Sequence, residues 1–254
     1  MLCDSHTHLD QFTDEDLGPM LQRAREAGVG LIVSVGSTVA ASRRAIELAR
    51  RHDVVYAGVG MHPQDLKGPF TDQDYAALRD LALRDAKVVC VSETGLDFQE
   101  TSPDRRWQEH AFREHIRLAR EIGKPIDFHA REAYEAVLPL MREERADDVG
   151  AIWHYFQGDE RKAKEALDLG FYISLAKPLL RMPELEAVVR RLPMDRIVLE
   201  TDSYPQPWKK HAIRRTEPSH LVQVAEKVAQ IKGLSLEEVA SMTTANLKRV
   251  LKII

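Results

Sequence analysis

Short apolar runs alternate along the chain with longer stretches in which apolar and charged residues recur at helical spacing. The runs that read as strands are Leu2–Leu9, Gly30–Gly36, Val54–Gly60, Lys87–Glu93, Pro125–His129, Gly150–His154, Phe171–Ser174 and Arg196–Thr201. Between them lie helical patterns over Asp14–Ala27, Ala40–Arg51, Asp72–Arg84, Asp104–Ile122, Glu132–Glu144, Glu160–Leu169 and Pro183–Leu192. Thr71 and Asp159 stand where a helix N-cap is needed, and Gly28, Gly123 and Gly170 stand where helices stop. Nearly continuous apolar strands joined by amphipathic helices imply a parallel sheet covered by helices. Eight such units predict an α/β fold closed into a (β/α)8 TIM barrel. The rival, an open doubly wound sheet, calls for a glycine-rich phosphate loop, which Gly58-Val-Gly60 does not supply. A long irregular segment, Asp202–Pro218, follows the last strand, and loops of that length are commonly functional. Three further helical patterns, Ser219–Ile231, Ser235–Met242 and Thr244–Leu251, finish the chain.

The length of 254 residues suits one such barrel, so a single domain is expected over 1–254. A hydrophobic fraction of 44% with 30% charged residues is ordinary for a globular enzyme. The net charge of -4 argues against a broad basic face that coats nucleic acid, but not against a strand end entering a local pocket. Cys3 and Cys90, both in strands, read as buried thiols and offer no disulfide framework. No signal-peptide pattern and no apolar run of membrane-spanning length is visible. The expectation is a cytoplasmic protein with no membrane association and no obligate protein partner.

The chemistry gathers at the ends of the apolar runs. His6 and His8 sit two apart in Asp4-Ser-His-Thr-His-Leu-Asp10, a spacing that places both imidazoles on one face of a strand. Glu93, His129, His154 and Asp202 close the fourth, fifth, sixth and eighth runs. In a barrel of this kind the active site lies at the carboxyl ends of the strands, so all six converge there. Imidazole and carboxylate ligands without thiolate suit Zn²⁺, Mn²⁺ or Mg²⁺. A carboxylate shared between two such ions holds them close enough to turn a bridging water into a hydroxide nucleophile. Glu93, central in strand order, is the natural bridge. The residues alone therefore predict a two-metal hydrolase.

Taken together, Asp4-Ser-His-Thr-His-Leu-Asp, Gly60-Met-His-Pro63, Glu93-Thr-Gly-Leu-Asp97, His129-Ala-Arg131, His154-Tyr-Phe-Gln-Gly158, Glu200-Thr-Asp202 and Arg214-Arg-Thr-Glu-Pro218 span nearly the whole chain. In content and order they resemble the TatD family of metal-dependent deoxyribonucleases, within the wider amidohydrolase-like barrels. The resemblance implies that His6, His8, Glu93 and Asp202 hold one ion and that Glu93, His129 and His154 hold the second. It implies a deoxyribonuclease that trims single-stranded DNA from an end, with DNA as its partner. Ser92 stands where the family usually has glycine, and Thr216 where it commonly has asparagine. Ser203-Tyr-Pro205, Tyr155 and Gln157 also depart from the family pattern, and the altered loop after the eighth strand bears on substrate choice. Rival readings are an ester hydrolase acting on D-aminoacyl-tRNA, an amide or lactone hydrolase, and a barrel that only binds. Glu93 in place of a carboxylated lysine argues against the amide and lactone group, and the intact ligand set argues against mere binding.

Beside the ligands, His62 reads as a catalytic contact to phosphate, with a turn histidine as the structural alternative. Arg131 continues the face of His129 and suits a bidentate grip on phosphate; its alternative is a salt bridge at the barrel rim. Lys177, Arg214 and Arg215 are further substrate-binding candidates, and Trp208 is a candidate for stacking on a base. Arg214 and Arg215 could instead be tied down by Glu217. His110 and His115, on a charge-rich helix, are expected to be solvated. Trp153 should point away from the site by strand alternation.

Overall fold

The computed structural model describes residues 1–206, 208 and 216–253. Eight parallel strands pair in chain order, β1 with β2 through to β8, and β8 closes on β1 through Asp4 and Leu199. The strands are β1 Leu2–Thr7, β2 Val29–Val35, β3 Val55–Val59, β4 Val88–Asp97, β5 Ile126–Arg131, β6 Ala151–Trp153, β7 Tyr172–Leu175 and β8 Ile197–Leu199. The helices between them are α1 Asp14–Glu26, α2 Val39–Arg51, α3 Asp72–Arg84, α4 Arg105–Ile122, α5 Tyr134–Glu143, α6 Glu160–Asp168 and α7 Pro183–Arg191. The expected TIM barrel is the observed fold.

Two apolar layers hold it together. One lies between strands and helices and includes Phe112, Ile116, Phe128, Trp153 and Phe171. Trp153 is buried there, away from the barrel axis, as strand alternation requires. The other fills the barrel interior with Cys3, Val33, Val89, Cys90, Ile152 and Val198, so both thiols are buried and unpaired. Helix ends follow local chemistry: Thr71 caps α3 in a capping box with Asp74, and Asp159 accepts the Lys162 N–H at the start of α6. Among the described residues no helix is long and apolar enough to cross a membrane.

Among the described residues two α-helices follow the barrel, α8 Leu221–Lys232 and α9 Leu236–Leu251. The final two helical patterns of the sequence are therefore one helix. Thr243, the expected break, donates its hydroxyl to the Val239 carbonyl and stays within the helix. α9 covers the amino ends of the strands: Leu247, Val250 and Leu251 join the interior layer, and Asn246 donates to the Met194 and Ile197 carbonyls.

Three further expectations need correction. β4 does not end at Glu93; it runs four residues on, because β5 also extends and pairs Gly95 with His129 and Asp97 with Arg131. His8 lies just past β1, where a 3-10 turn begins at Leu9. His115 is buried rather than solvated. Its Nε2 accepts the Met61 N–H and its Nδ1 lies 2.6 Å from the Ala111 carbonyl, so burial is balanced by backbone groups.

Candidate metal centre

Glu93 stands at the middle of the carboxyl face, 4% exposed, inside a ring of imidazoles. Its Oε2 lies 3.5 Å from His6 Nε2 and 3.4 Å from His8 Nε2. Its Oε1 lies 3.3 Å from His62 Nε2, 3.2 Å from His129 Nδ1 and 3.3 Å from His154 Nε2. Asp202 Oδ1 is 3.5 Å from His8 Nε2, on the Oε2 side. The structure thus brings the six expected ligands together from five strands, with His62 beside them. Glu93 reaches this place although its strand continues, because the β4–β5 register shifts between Val91 and Thr94. Gly95 then lets the strands close up; at its φ of +138°, a Cβ would meet the His129 carbonyl oxygen at 2.1 Å.

The backbone is bent to its task at two other ligands. Asp202 has φ +51°, and its N–H donates to the His6 carbonyl. Tyr155, just after His154, has φ +49°, and its N–H donates to Glu200 Oε1 at 2.8 Å. Such conformations cost energy in non-glycine residues and cluster at functional sites.

A second layer of buried carboxylates holds the imidazoles from behind. Asp127 Oδ2 is 2.7 Å from His6 Nδ1, and Asp97 Oδ2 is 2.9 Å from His129 Nε2. Glu200 Oε1 is 3.0 Å from His154 Nδ1, although that nitrogen lies outside hydrogen-bond geometry. Carboxylate partners of this kind orient metal-ligating histidines and raise their basicity. None of the three was singled out from the sequence. The signal was there: Asp127 and Glu200 each sit two residues before an expected ligand, on the same face of an extended chain.

Electrostatics follow from burial and neighbours. Burial alone would raise the Glu93 carboxyl, but His62, His154, His129 and His6 hold it well below the usual carboxylate range. Burial lowers His129 and its partners Asp97 and Glu93 raise it, with a net rise to about 9. Burial and the neighbouring His6 push His154 down to about 3. Burial pushes Asp4 up to about 8 and Glu200 up to about 7. His6 Nε2, which faces Glu93 Oε2, is buried without a hydrogen-bond partner. An unpartnered imidazole nitrogen aimed at a carboxylate has a lone pair suited to ligate a divalent metal, so the donor set fits one.

The centre forms the floor of a pocket of about 400 Å³. Arg131, Tyr134, Tyr155, Gln157 and Tyr204 are among the residues around it. Arg131 lines this pocket and also grips Asp97 through Nε and Nη2, each at 2.8 Å, which is the salt bridge expected as its structural alternative. His62 likewise does two things: its Nδ1 accepts the Gln64 N–H while Nε2 faces Glu93. Lys177 is half-buried in a 3-10 turn after β7 and does not line the pocket. Trp208 is 64% exposed and does not line it either, but its ring packs 6.0 Å from Tyr204, which does. Arg214 and Arg215 lie outside the described residues. Glu217 is bound by Arg23 of α1, Nη2 to Oε2 at 2.6 Å, which ties the end of the long loop to the first helix.

A family model described as TatD related DNase matches residues 3–252. The chain belongs to the TatD family. An uncharacterized metal-dependent hydrolase of Bacillus subtilis (strain 168), YabD, is 37% identical over the full length of both chains. The 3'-5' ssDNA/RNA exonuclease TatD of Cronobacter sakazakii is 34% identical over 93% of this chain and 92% of that protein. Among solved structures, the TatD homolog YjjV of Escherichia coli K12 superposes with a TM-score of 0.90 at 26% identity, covering 100% of this chain and 98% of that one. This TatD-family chain is a metal-dependent hydrolase.

Proposed function

We propose that this chain is a two-metal phosphodiesterase that trims single-stranded nucleic acid, DNA foremost, from an end. One observation carries the two-metal part: the two oxygens of Glu93 face two separate imidazole groups, His6 and His8 on one side, His62, His129 and His154 on the other. In this reading His6, His8, Glu93 and Asp202 hold one ion, and Glu93, His129 and His154 hold the second. Bound divalent ions supply Lewis acidity and lower the pKa of water, which is what hydrolysis of a phosphodiester requires. The chain's own groups do the rest. Glu93 remains ionised, because the surrounding histidines keep its carboxyl low. His62, fixed by the Gln64 N–H, and Arg131, fixed by Asp97, line the pocket where the phosphate would sit. Both are preplaced donors for charge that develops on phosphate oxygens.

The nucleic-acid part rests on kinship with a relative named as a 3'-5' ssDNA/RNA exonuclease. The pocket supports it: tyrosines 134, 155 and 204 stand beside the polar floor, and aromatic faces stack on unpaired bases of any sequence. A recessed site of this size takes an unpaired strand end more readily than a duplex, whose bases must first be unstacked. The test is to incubate metal-free and metal-loaded protein with end-labelled single-stranded DNA, RNA, duplex DNA, closed circular duplex and D-aminoacyl-tRNA. Metal-dependent shortening of single strands from the 3' end is expected. Nicking of closed circles at the rate of end trimming, or deacylation without any trimming, overturns the proposal.

A further inference from the structure

Beneath the imidazole ring, Asp127 is buried on β5, 1% exposed, two residues before His129. Its Oδ2 takes two contacts from different strands: His6 Nδ1 of β1 at 2.7 Å and the Ser92 hydroxyl of β4, which donates at 3.1 Å. Its Oδ1 is buried with no hydrogen-bond partner. A buried carboxylate with one oxygen unsatisfied is costly, so the chain keeps it against a penalty that packing alone does not explain. The other two carboxylates behind the imidazoles are placed differently. Asp97 accepts from His129, Arg131, Ser102 and the Gln99 N–H. Glu200 accepts from Ser174 and the Tyr155 N–H, and meets its histidine off axis. Asp127 alone is arranged around one imidazole and one hydroxyl.

Gly58 leaves room for a side chain at Ser92. A Cβ at Gly58 on the neighbouring strand would lie 2.9 Å from the Ser92 Cβ, too close for β3 and β4 to pair as they do. His6 completes the arrangement from the other side. With Nδ1–H donating to Asp127, Nε2 is left as a lone pair, and it is this nitrogen that is buried, unpartnered and 3.5 Å from Glu93.

We infer that Ser92 and Asp127 form a positioning pair that sets the tautomer and the ring orientation of His6: Ser92 steers the Asp127 carboxylate, and Asp127 holds the His6 Nδ1–H so that Nε2 faces the metal. The inference rests on the reading of His6 as a ligand. Asp127 does not line the pocket, and it acts through His6. Removing it lowers the affinity of one ion site, whereas the site held by His129 and His154 is unaffected. Ser92 acts one step further out and has a smaller effect in the same direction.

The experiment titrates full-length wild-type protein and its His6→Ala, Asp127→Ala, Asp127→Asn, Ser92→Ala and Leu78→Ala variants with Co²⁺, following stoichiometry and visible absorption. Long-range ¹H–¹⁵N spectra of the metal-free, histidine-labelled proteins report the His6 tautomer. Leu78 is a fully buried residue of α3 and controls for a general loss of stability. His6→Ala should lose one ion. Asp127→Ala should weaken one site by about 10- to 100-fold and mix the His6 tautomers. Asp127→Asn, whose amide oxygen still accepts the Nδ1–H, should recover most of that loss. Ser92→Ala should weaken the same site by a few-fold, about 2- to 5-fold, as one outer contact is removed. Leu78→Ala should leave both affinities unchanged whatever its melting temperature. If Asp127→Ala does not fold, Ser92→Ala carries the test through its affinity and its tautomer spectrum. Wild-type affinity and an unmixed Nδ1–H tautomer in Asp127→Ala and Ser92→Ala, with an ion lost from His6→Ala, overturn the inference alone. A His6→Ala variant that binds cobalt as wild type does overturns the ligand reading, and the inference falls with it.

Discussion

Arg131→Ala should cost both stability and turnover, and the two costs can be measured apart. The guanidinium is 43% exposed, while the carboxylate it grips, on Asp97, is fully buried. Asp97 also accepts from Ser102, the Gln99 N–H and His129, and these hold its carboxyl well below the usual range even though burial would raise it. Truncation at 131 therefore removes one forked donor out of four partners and leaves an ionised group that is still partly satisfied. A hydrogen bond to a charged group is worth about 1.5–3 kcal/mol, and the solvent exposure of the arginine reduces that to about 1–2 kcal/mol. For a chain of this size that is a fall in melting temperature of about 2–8 °C. The metal content should stay near wild type, because His129 keeps its bond to Asp97. Turnover per folded, metal-loaded molecule should fall by about 10- to 1,000-fold, the range for loss of one preplaced donor to a developing oxyanion. Arg131→Lys should recover part of the stability but little of the rate, since an ammonium cannot reproduce the fork. Melting curves, metal analysis and single-turnover rates on one preparation of each variant suffice. A melting temperature within about 1 °C of wild type would refute the ion-pair argument. Unchanged turnover in the folded variant would refute the substrate contact.

Three other outcomes are expected. Glu93→Gln should lose at least one ion by elemental analysis and slow phosphodiester cleavage by at least ~100-fold, because the neutral amide offers only one acceptor where two imidazole groups need an anion; full metal content with near-normal rate would sink the bridge. His62→Ala should lower stability by about 1 kcal/mol through loss of the Gln64 cap and slow turnover by about 10- to 1,000-fold with both ions retained; a pure stability loss would mark it as a turn histidine. Burial holds His115 at about 4 against an ordinary 6.5, so the unfolded chain binds the extra proton first. The stability due to its neutral form is complete above about pH 6.5 and lost as pH falls toward 4, by up to about 3 kcal/mol. Urea midpoints should therefore fall more steeply over that window in wild type than in His115→Gln; parallel curves would refute the buried, neutral assignment.

The order of elements was legible because the barrel is written in local periodicity. Eight apolar runs and seven amphipathic patterns need only hydrogen bonding and burial of one face to become strands and helices. The residues that gather round Glu93 were legible for a related reason. In a barrel every strand delivers its carboxyl end to one face, so polar residues at the ends of apolar runs must meet there. Strand lengths were less legible. β4 outruns its apolar stretch because its continuation pairs with an equally extended β5, and pairing is a property of two segments, not one. His115 looked solvated on a charged helix; Ala111 lies one turn earlier in that helix, but the partner at Met61 becomes visible only when α4 packs against the segment after β3. The tertiary structure likewise decided which carboxylate stands behind which imidazole. Asp127 and His6 are 121 residues apart, and Arg23 and Glu217 are 194 apart; no periodicity along the chain encodes such meetings. Local pattern determined that a metal-compatible set would collect at one end of a barrel. Closure of the barrel determined its second layer, because only closure sets the first strand beside the eighth and across the interior from the fifth.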